Sequence, residues 1–103
     1  MTKVRVAPVE ILLIDDDPVV VETLASILEP IGFRICKAYG SRQGLELAIA
    51  QQPDLIVLDL VMPELSSFEV VQRLQQQPHT REIPVFVVTA KPCSPRRNRI
   101  STG

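Results

Sequence analysis

Short apolar runs alternate along the chain with amphipathic stretches, and acids, glycines or prolines separate them. "EILLID" (10–15) is a continuous apolar run between acidic residues, the pattern of a central parallel strand buried on both faces. From Pro18 to Leu28 the apolar positions Val20, Leu24, Ile27 and Leu28 recur at helical spacing; Pro18 suits a first turn, and Pro30 and Gly32 stop the helix. "RICKAY" (34–39) alternates and predicts a second strand. Gly40-Ser41 opens a second helix whose expected inner face is Leu45, Ala48 and Ile49, and Pro53-Asp54 ends it. "LIVLD" (55–59) is a third strand. Ser66, with Glu69 three residues on, has capping-box spacing for a third helix facing inward through Phe68, Val71 and Leu74. The polar loop "QQQPHTREIP" follows, with the single histidine, His79, expected at the surface; "VFVVTA" (85–90) is a fourth strand.

Strands alternating with helices predict a parallel sheet covered on both faces, with right-handed crossovers. Ligands in such sheets sit at the carboxyl ends of the strands, where the strand order switches. The first strand ends in Asp15-Asp16-Asp17, the third in Asp59 and the fourth in Thr89, so these residues are expected along one edge. Two carboxylates about 4 Å apart repel by roughly 4 kcal/mol at an effective dielectric of about 20. Such a cluster must share protons or bind a cation, and Mg2+, which prefers hard oxygen ligands, is the natural one. An aspartate can also act as a nucleophile toward phosphorus, with a hydroxyl donating to a phosphoryl oxygen. The bland alternative is that these acids only cap the helices that follow them.

Composition narrows this picture. With 103 residues, 46% of them hydrophobic and 22% charged, the chain is one globular domain at most, and lacking Trp it must build an aliphatic core. No apolar run is long enough to span a membrane, and the N-terminus has no apolar signal-peptide segment. Cys36 and Cys93 match neither a zinc spacing nor a disulfide framework, so two reduced thiols in a cytoplasmic protein are expected. The net charge of −1 hides an asymmetry: Lys91, Arg96, Arg97 and Arg99 lie near the C-terminus with no acid among them. Without interleaved aromatics, this basic stretch reads as a solvated, disordered tail rather than a nucleic-acid contact.

"ILLIDDDPVV", "PDLIVLDLVMPE" and "IPVFVVTAK" together resemble the receiver domain of two-component response regulators, over residues 10–91. The most specific piece is a strand-ending Asp followed three and four residues later by Met62-Pro63. The resemblance implies a flavodoxin-like, doubly wound parallel sheet in the order 2-1-3-4-5. It also implies that Asp15 and Asp16 are the acidic pair for Mg2+ and that Asp59 is both phosphoacceptor and metal ligand. Val61 would complete the metal site through its backbone carbonyl, and Thr89 would be the switch hydroxyl; Asp17 falls on a variable position. The implied partner is a histidine kinase or phosphotransfer protein, whose phosphohistidine donates to Asp59. The region after the fourth strand would then rearrange to expose a binding face. The implied role is signalling rather than enzyme turnover, without membrane or direct nucleic-acid contact.

Two departures stand out. Ser66-Ser67 occupies the place of the family's Asp-Gly, where a small local change is expected. After Thr89-Ala90 a receiver continues through a helix, a fifth strand ending in Lys-Pro, and a last helix, which "KPCSPRRNRISTG" cannot supply. Lys91-Pro92 imitates the dipeptide but directly follows the fourth strand. The expected organisation is therefore an N-terminal arm over 1–9, a partial receiver over 10–91 lacking its last helix, strand and helix, and a tail over 92–103. The fourth strand would be an open apolar edge, suited to a homodimer. Three other readings remain open. One is a pseudo-receiver that binds its partner without phosphorylation, and another is a truncated, non-functional fragment. The third is a haloacid-dehalogenase-like phosphohydrolase with Asp15 as nucleophile and Asp17 as acid/base.

Overall fold

The computed structural model describes residues 8–59 and 65–88. The elements follow in the order β1 (Glu10–Ile14), α1 (Pro18–Leu28), a 3-10 turn (Glu29–Ile31), β2 (Arg34–Ala38), α2 (Ser41–Gln51), β3 (Leu55–Asp59), α3 (Ser67–Gln75) and β4 (Val85–Val88). All strand pairings are parallel and the order is β2-β1-β3-β4, so β1 and β3 are central. This agrees with the expected sheet and its helices. Thr89 and Ala90 of the predicted fourth strand, residues 1–7 of the predicted arm and the tail over 92–103 lie outside the described residues.

The sheet separates two apolar layers because consecutive residues of a strand point to opposite faces. Leu12, Ile14, Ile56 and Leu58 pack on one face with Ala48 of α2 and with Val70 and Leu74 of α3. Ile11 and Leu13 pack on the other with Val21 and Ala25 of α1. The amino edge of the sheet is tied by reciprocal bonds: Asp54 N–H donates to the Glu10 carbonyl, and Glu10 N–H to the Asp54 carboxylate, each at 2.8 Å. At the same edge, the buried Thr80 hydroxyl donates to the Leu74 carbonyl at 2.6 Å and so satisfies one of the acceptors left at the end of α3.

The helices keep their predicted positions, and Leu24, Leu28, Leu45, Ala48, Val71 and Leu74 of the predicted faces pack inward, whereas Ile27, Ile49 and Phe68 do not. In α1 the buried pair is Val21 and Ala25, Leu24 and Leu28 flank it, and Ile27 is 55% exposed. In α2 the buried stripe is Ser41, Gly44 and Ala48, with Leu45 at its margin and Ile49 exposed. In α3 it is Ser67, Val70 and Leu74, while Phe68 is 83% exposed. In α2 the small residues Ser41, Gly44 and Ala48 line the axis of contact, where the helix comes closest to the sheet, and larger side chains reach in from the sides. After α1, Gly32 takes a φ of +119°, open to glycine without a steric cost, and carries the chain into β2. At the sheet edge formed among the described residues, Phe86, Val87 and Val88 of β4 are exposed and Val85 is half-buried.

Candidate functional site

The site is assembled where β1 and β3 end side by side. Ile14 pairs with Leu58, so the next residue of each strand, Asp15 and Asp59, emerges at the same carboxyl edge. Asp15 and Asp59 are buried and Asp16 is half-buried. One carboxylate oxygen from each of these three residues lies within 4.8 Å of the other two. The backbone N–H of Asp17 donates to Asp15 Oδ1 at 2.9 Å, which fixes that carboxylate against the turn. The Oδ1 atom of Asp59 is buried and accepts no hydrogen bond from the described residues. Burying carboxylates this close together is costly unless positive charge offsets it.

The donor set fits Mg2+. Three carboxylate oxygens within 4.8 Å of one another are the hard donors this ion prefers. A slight contraction, or one intervening water, would complete a site of this hard-oxygen type. Asp15, Asp16 and Asp59 are thus brought together as predicted. Val61 and Thr89, along with Lys91, lie outside the described residues.

Asp17 has a different task. Its carboxylate accepts from the Val19 N–H at 3.0 Å and caps α1, with Pro18 in the first turn. That position suits a cap and not the acid/base role of a phosphohydrolase. Ser66 likewise caps α3 by accepting from Glu69 N–H at 3.2 Å, whereas the Glu69 carboxylate lies 3.5 Å from Arg73. Ser66 therefore serves where the family's Asp would.

The sequence reading missed Ser41, taken there only as the start of a helix. Its side chain is fully buried, and its hydroxyl accepts from the Leu65 N–H at 2.9 Å, across 24 residues of sequence. A Ser three positions before a Gly on the inner face of a helix was the available signal. Asp16 also borders an open cleft of about 500 Å³ lined further by Tyr39, Ser41, Arg42, Gln43 and Glu46. Nearby, Glu22 of α1 receives hydrogen bonds from Lys37 and Tyr39. The Tyr39 bond, then Lys37, holds the Glu22 carboxyl below its ordinary range.

Comparison with known proteins agrees with this geometry. The family model described as the response regulator receiver domain matches residues 11–101. The chain is 42% identical over 80 residues to the DNA-binding dual master transcriptional regulator RpaA of Synechocystis sp., covering 78% of this chain and 33% of that protein. It is 37% identical over 81 residues to the protein PilH of Pseudomonas aeruginosa, covering 79% of this chain and 67% of that protein. Its fold matches the crystal structure of the N-terminal domain of a response regulator receiver protein from Methanoculleus marisnigri JR1. There the TM-score is 0.75 at 38% identity, over 84% of this chain and 70% of that one. The chain thus spans about a third of the first of these relatives and about two thirds of the second. Among the described residues, no helix is long and apolar enough to cross a membrane. By its strand order, its acidic edge and this family match, the chain belongs to the response regulator receiver domains.

Proposed function

We propose that the chain is a phosphoacceptor module of a two-component phosphorelay, in which Asp59 takes a phosphoryl group from the phosphohistidine of a histidine kinase or phosphotransfer protein. The observation that carries this reading is the convergence of Asp15, Asp16 and Asp59 oxygens within 4.8 Å at the carboxyl edge of the sheet. A carboxylate oxygen of Asp59 bonds to phosphorus as the phosphorus–nitrogen bond breaks, and the imidazole leaves with the electron pair. Asp15 and Asp16 would hold Mg2+ beside the reacting carboxylate, where it would supply positive charge against the phosphoryl oxygens. By their sequence positions, the Val61 carbonyl is the further metal ligand and the Thr89 hydroxyl follows the phosphoryl group. Output is by protein–protein contact in the cytoplasm, with the apolar edge of β4 as a surface for a second copy.

Mass spectrometry after incubation with acetyl phosphate and Mg2+ tests the chemistry. One added phosphoryl group, absent in Asp59→Asn, is the expected result. No adduct on folded protein overturns the phosphoacceptor reading in favour of a pseudo-receiver. Light scattering tests the edge: a dimer that Phe86→Lys converts to monomer is expected, since Phe86 is 59% exposed on β4.

A further inference from the structure

We propose that Asp17 is a positioning residue for Asp15: by capping α1 it holds in place the backbone N–H that orients the Asp15 carboxylate. The proposal rests on the metal-site reading above. Two hydrogen bonds run in series through one residue. The Asp17 N–H donates to Asp15 Oδ1 at 2.9 Å, and the Asp17 carboxylate accepts from the Val19 N–H at 3.0 Å. The Asp15 backbone is fixed separately, because its N–H donates to the Ala38 carbonyl of β2 at 3.1 Å. What remains to be set at Asp15 is the side chain, and the bond from Asp17 sets it. A carboxylate is planar and rigid, so holding one oxygen orients the other.

The Asp17 N–H can do this only if residue 17 is itself held, and three features hold it. Pro18 disfavours the helical region for the residue before it, and Asp17 is extended, with φ −95° and ψ 108°. The Asp17 carbonyl accepts from the N–H groups of Val20 at 3.1 Å and Val21 at 3.3 Å, and Val21 is buried with Ile11 and Leu13 of β1. The cap to Val19 is the third, and of the three it alone belongs to the side chain of residue 17. Without it the Val19 N–H must turn to water and the first turn of α1 loosens. The N–H that orients Asp15 is then released as well. The three oxygens that converge within 4.8 Å come from Asp15, Asp16 and Asp59, so Asp17 acts on this cluster from outside it. Groups that orient a metal-ligating carboxylate typically matter about 10- to 100-fold in metal affinity.

The test compares Asp17→Ala with Asp17→Asn in the full chain. Both remove the charge, but asparagine still accepts through its side-chain oxygen and caps a helix as well as aspartate does. Thr80→Val, which loses a buried hydroxyl bond at the opposite edge of the sheet, controls for destabilisation alone. Mn2+ affinity is measured by electron paramagnetic resonance, and the unfolding midpoint by circular dichroism without metal. The expected result is that Asp17→Ala binds Mn2+ about tenfold more weakly than Asp17→Asn, while Thr80→Val lowers the midpoint and keeps the wild-type affinity. Equal affinity in the two Asp17 variants overturns the proposal and leaves the metal site standing, whether that affinity is the wild-type one or is lowered through the lost charge. A loss in Thr80→Val as large as that in Asp17→Ala also overturns it, as an effect of general destabilisation. A wild-type protein that binds no Mn2+ overturns the metal-site reading and the proposal together. If Asp17→Ala does not fold, Asp17→Gly takes its place, since glycine is a milder loss at a cap and also offers no acceptor; the same outcomes apply to it.

Discussion

Ile14 and Gly44 are in a contact that leaves no room for a methyl group. A Cβ placed on Gly44 would stand 2.5 Å from Ile14 Cδ1 and 2.8 Å from both Cγ atoms. Rotation of Ile14 about its outer bond moves only Cδ1, and its branched Cβ restricts the inner one. Gly44→Ala should therefore destabilise the fold. Overpacking costs about 1–3 kcal/mol, and the better helix propensity of Ala returns about 1 kcal/mol. The expected net loss is up to about 2 kcal/mol, read from the urea midpoint at unchanged slope. Ile14→Val, which deletes Cδ1, should recover part of that loss in the double variant, giving a non-additive cycle.

Asp59→Asn should separate stability from metal binding. Replacing one of three crowded carboxylates by an amide removes repulsion, so the metal-free midpoint should rise. On the proposed metal site the same change also removes a ligand, so any increase in midpoint with Mg2+ in the wild type should be lost in the variant. Thermal unfolding with and without Mg2+ checks both. A metal-free variant less stable than wild type would mean that Asp59 contributes more through its bonds than it costs through its charge.

Most of this site was legible in the sequence because both of its halves sit at strand ends. The runs that end in Asp15-Asp16 and Asp59 are fully apolar, which marks central parallel strands, and neighbouring parallel strands bring their carboxyl ends to one edge. Helix positions were legible for the same reason: Pro18, Gly32 and Ser66 punctuate the chain. Helix faces were legible only in part, since Ala48 and Leu74 are buried as expected. Apolar spacing favoured Ile27, Ile49 and Phe68, all of which are exposed, over Ala25, Gly44 and Val70, which are buried. Periodicity weighs a residue by its hydrophobicity, whereas α2, lying close on the sheet, selects for small size along its contact line. Ser41 was missed because a polar residue at a helix start looks like a cap, and its real partner, Leu65, is distant in sequence.

Tyr39 offers a direct view of the surface cluster beside the site, because it is the chain's one tyrosine. Its hydrogen bond to Glu22, with some desolvation, raises the phenol above its ordinary value of 10.0. The Lys37 ammonium, bonded to the same carboxylate at 2.9 Å, is also raised. The stabilisation from Tyr39 is complete below pH 10 and is lost as pH rises through the higher folded value. That from Glu22, whose carboxyl is lowered from 4.5, is present above the unfolded value and is lost as pH falls through the lower folded one. An ultraviolet titration of the phenolate should show a midpoint above 10.0 in the wild type that moves back toward 10.0 in Glu22→Ala. Glu22 and Tyr39 are exposed and Lys37 is only half-buried, so added salt should narrow the difference.

Gln52 ends α2 in a left-handed conformation, with φ of +48°, and its N–H donates to the Ala48 carbonyl at 2.9 Å. A residue with a Cβ is strained there by about 1 kcal/mol, whereas glycine is not. Gln52→Gly should therefore stabilise the protein, less the greater freedom that glycine gives the unfolded chain. A net gain of about 0.5 kcal/mol corresponds to a rise of about 2–4 °C in the unfolding midpoint for a domain of this size. Gln52→Val, branched at Cβ, should move the midpoint down instead. Because Gln52 lies at the amino edge of the sheet, opposite the aspartates, Mn2+ affinity should be the same in all three proteins. A change in affinity at Gln52 would show that the two edges communicate through α2, the helix that also carries Ser41 and Gly44.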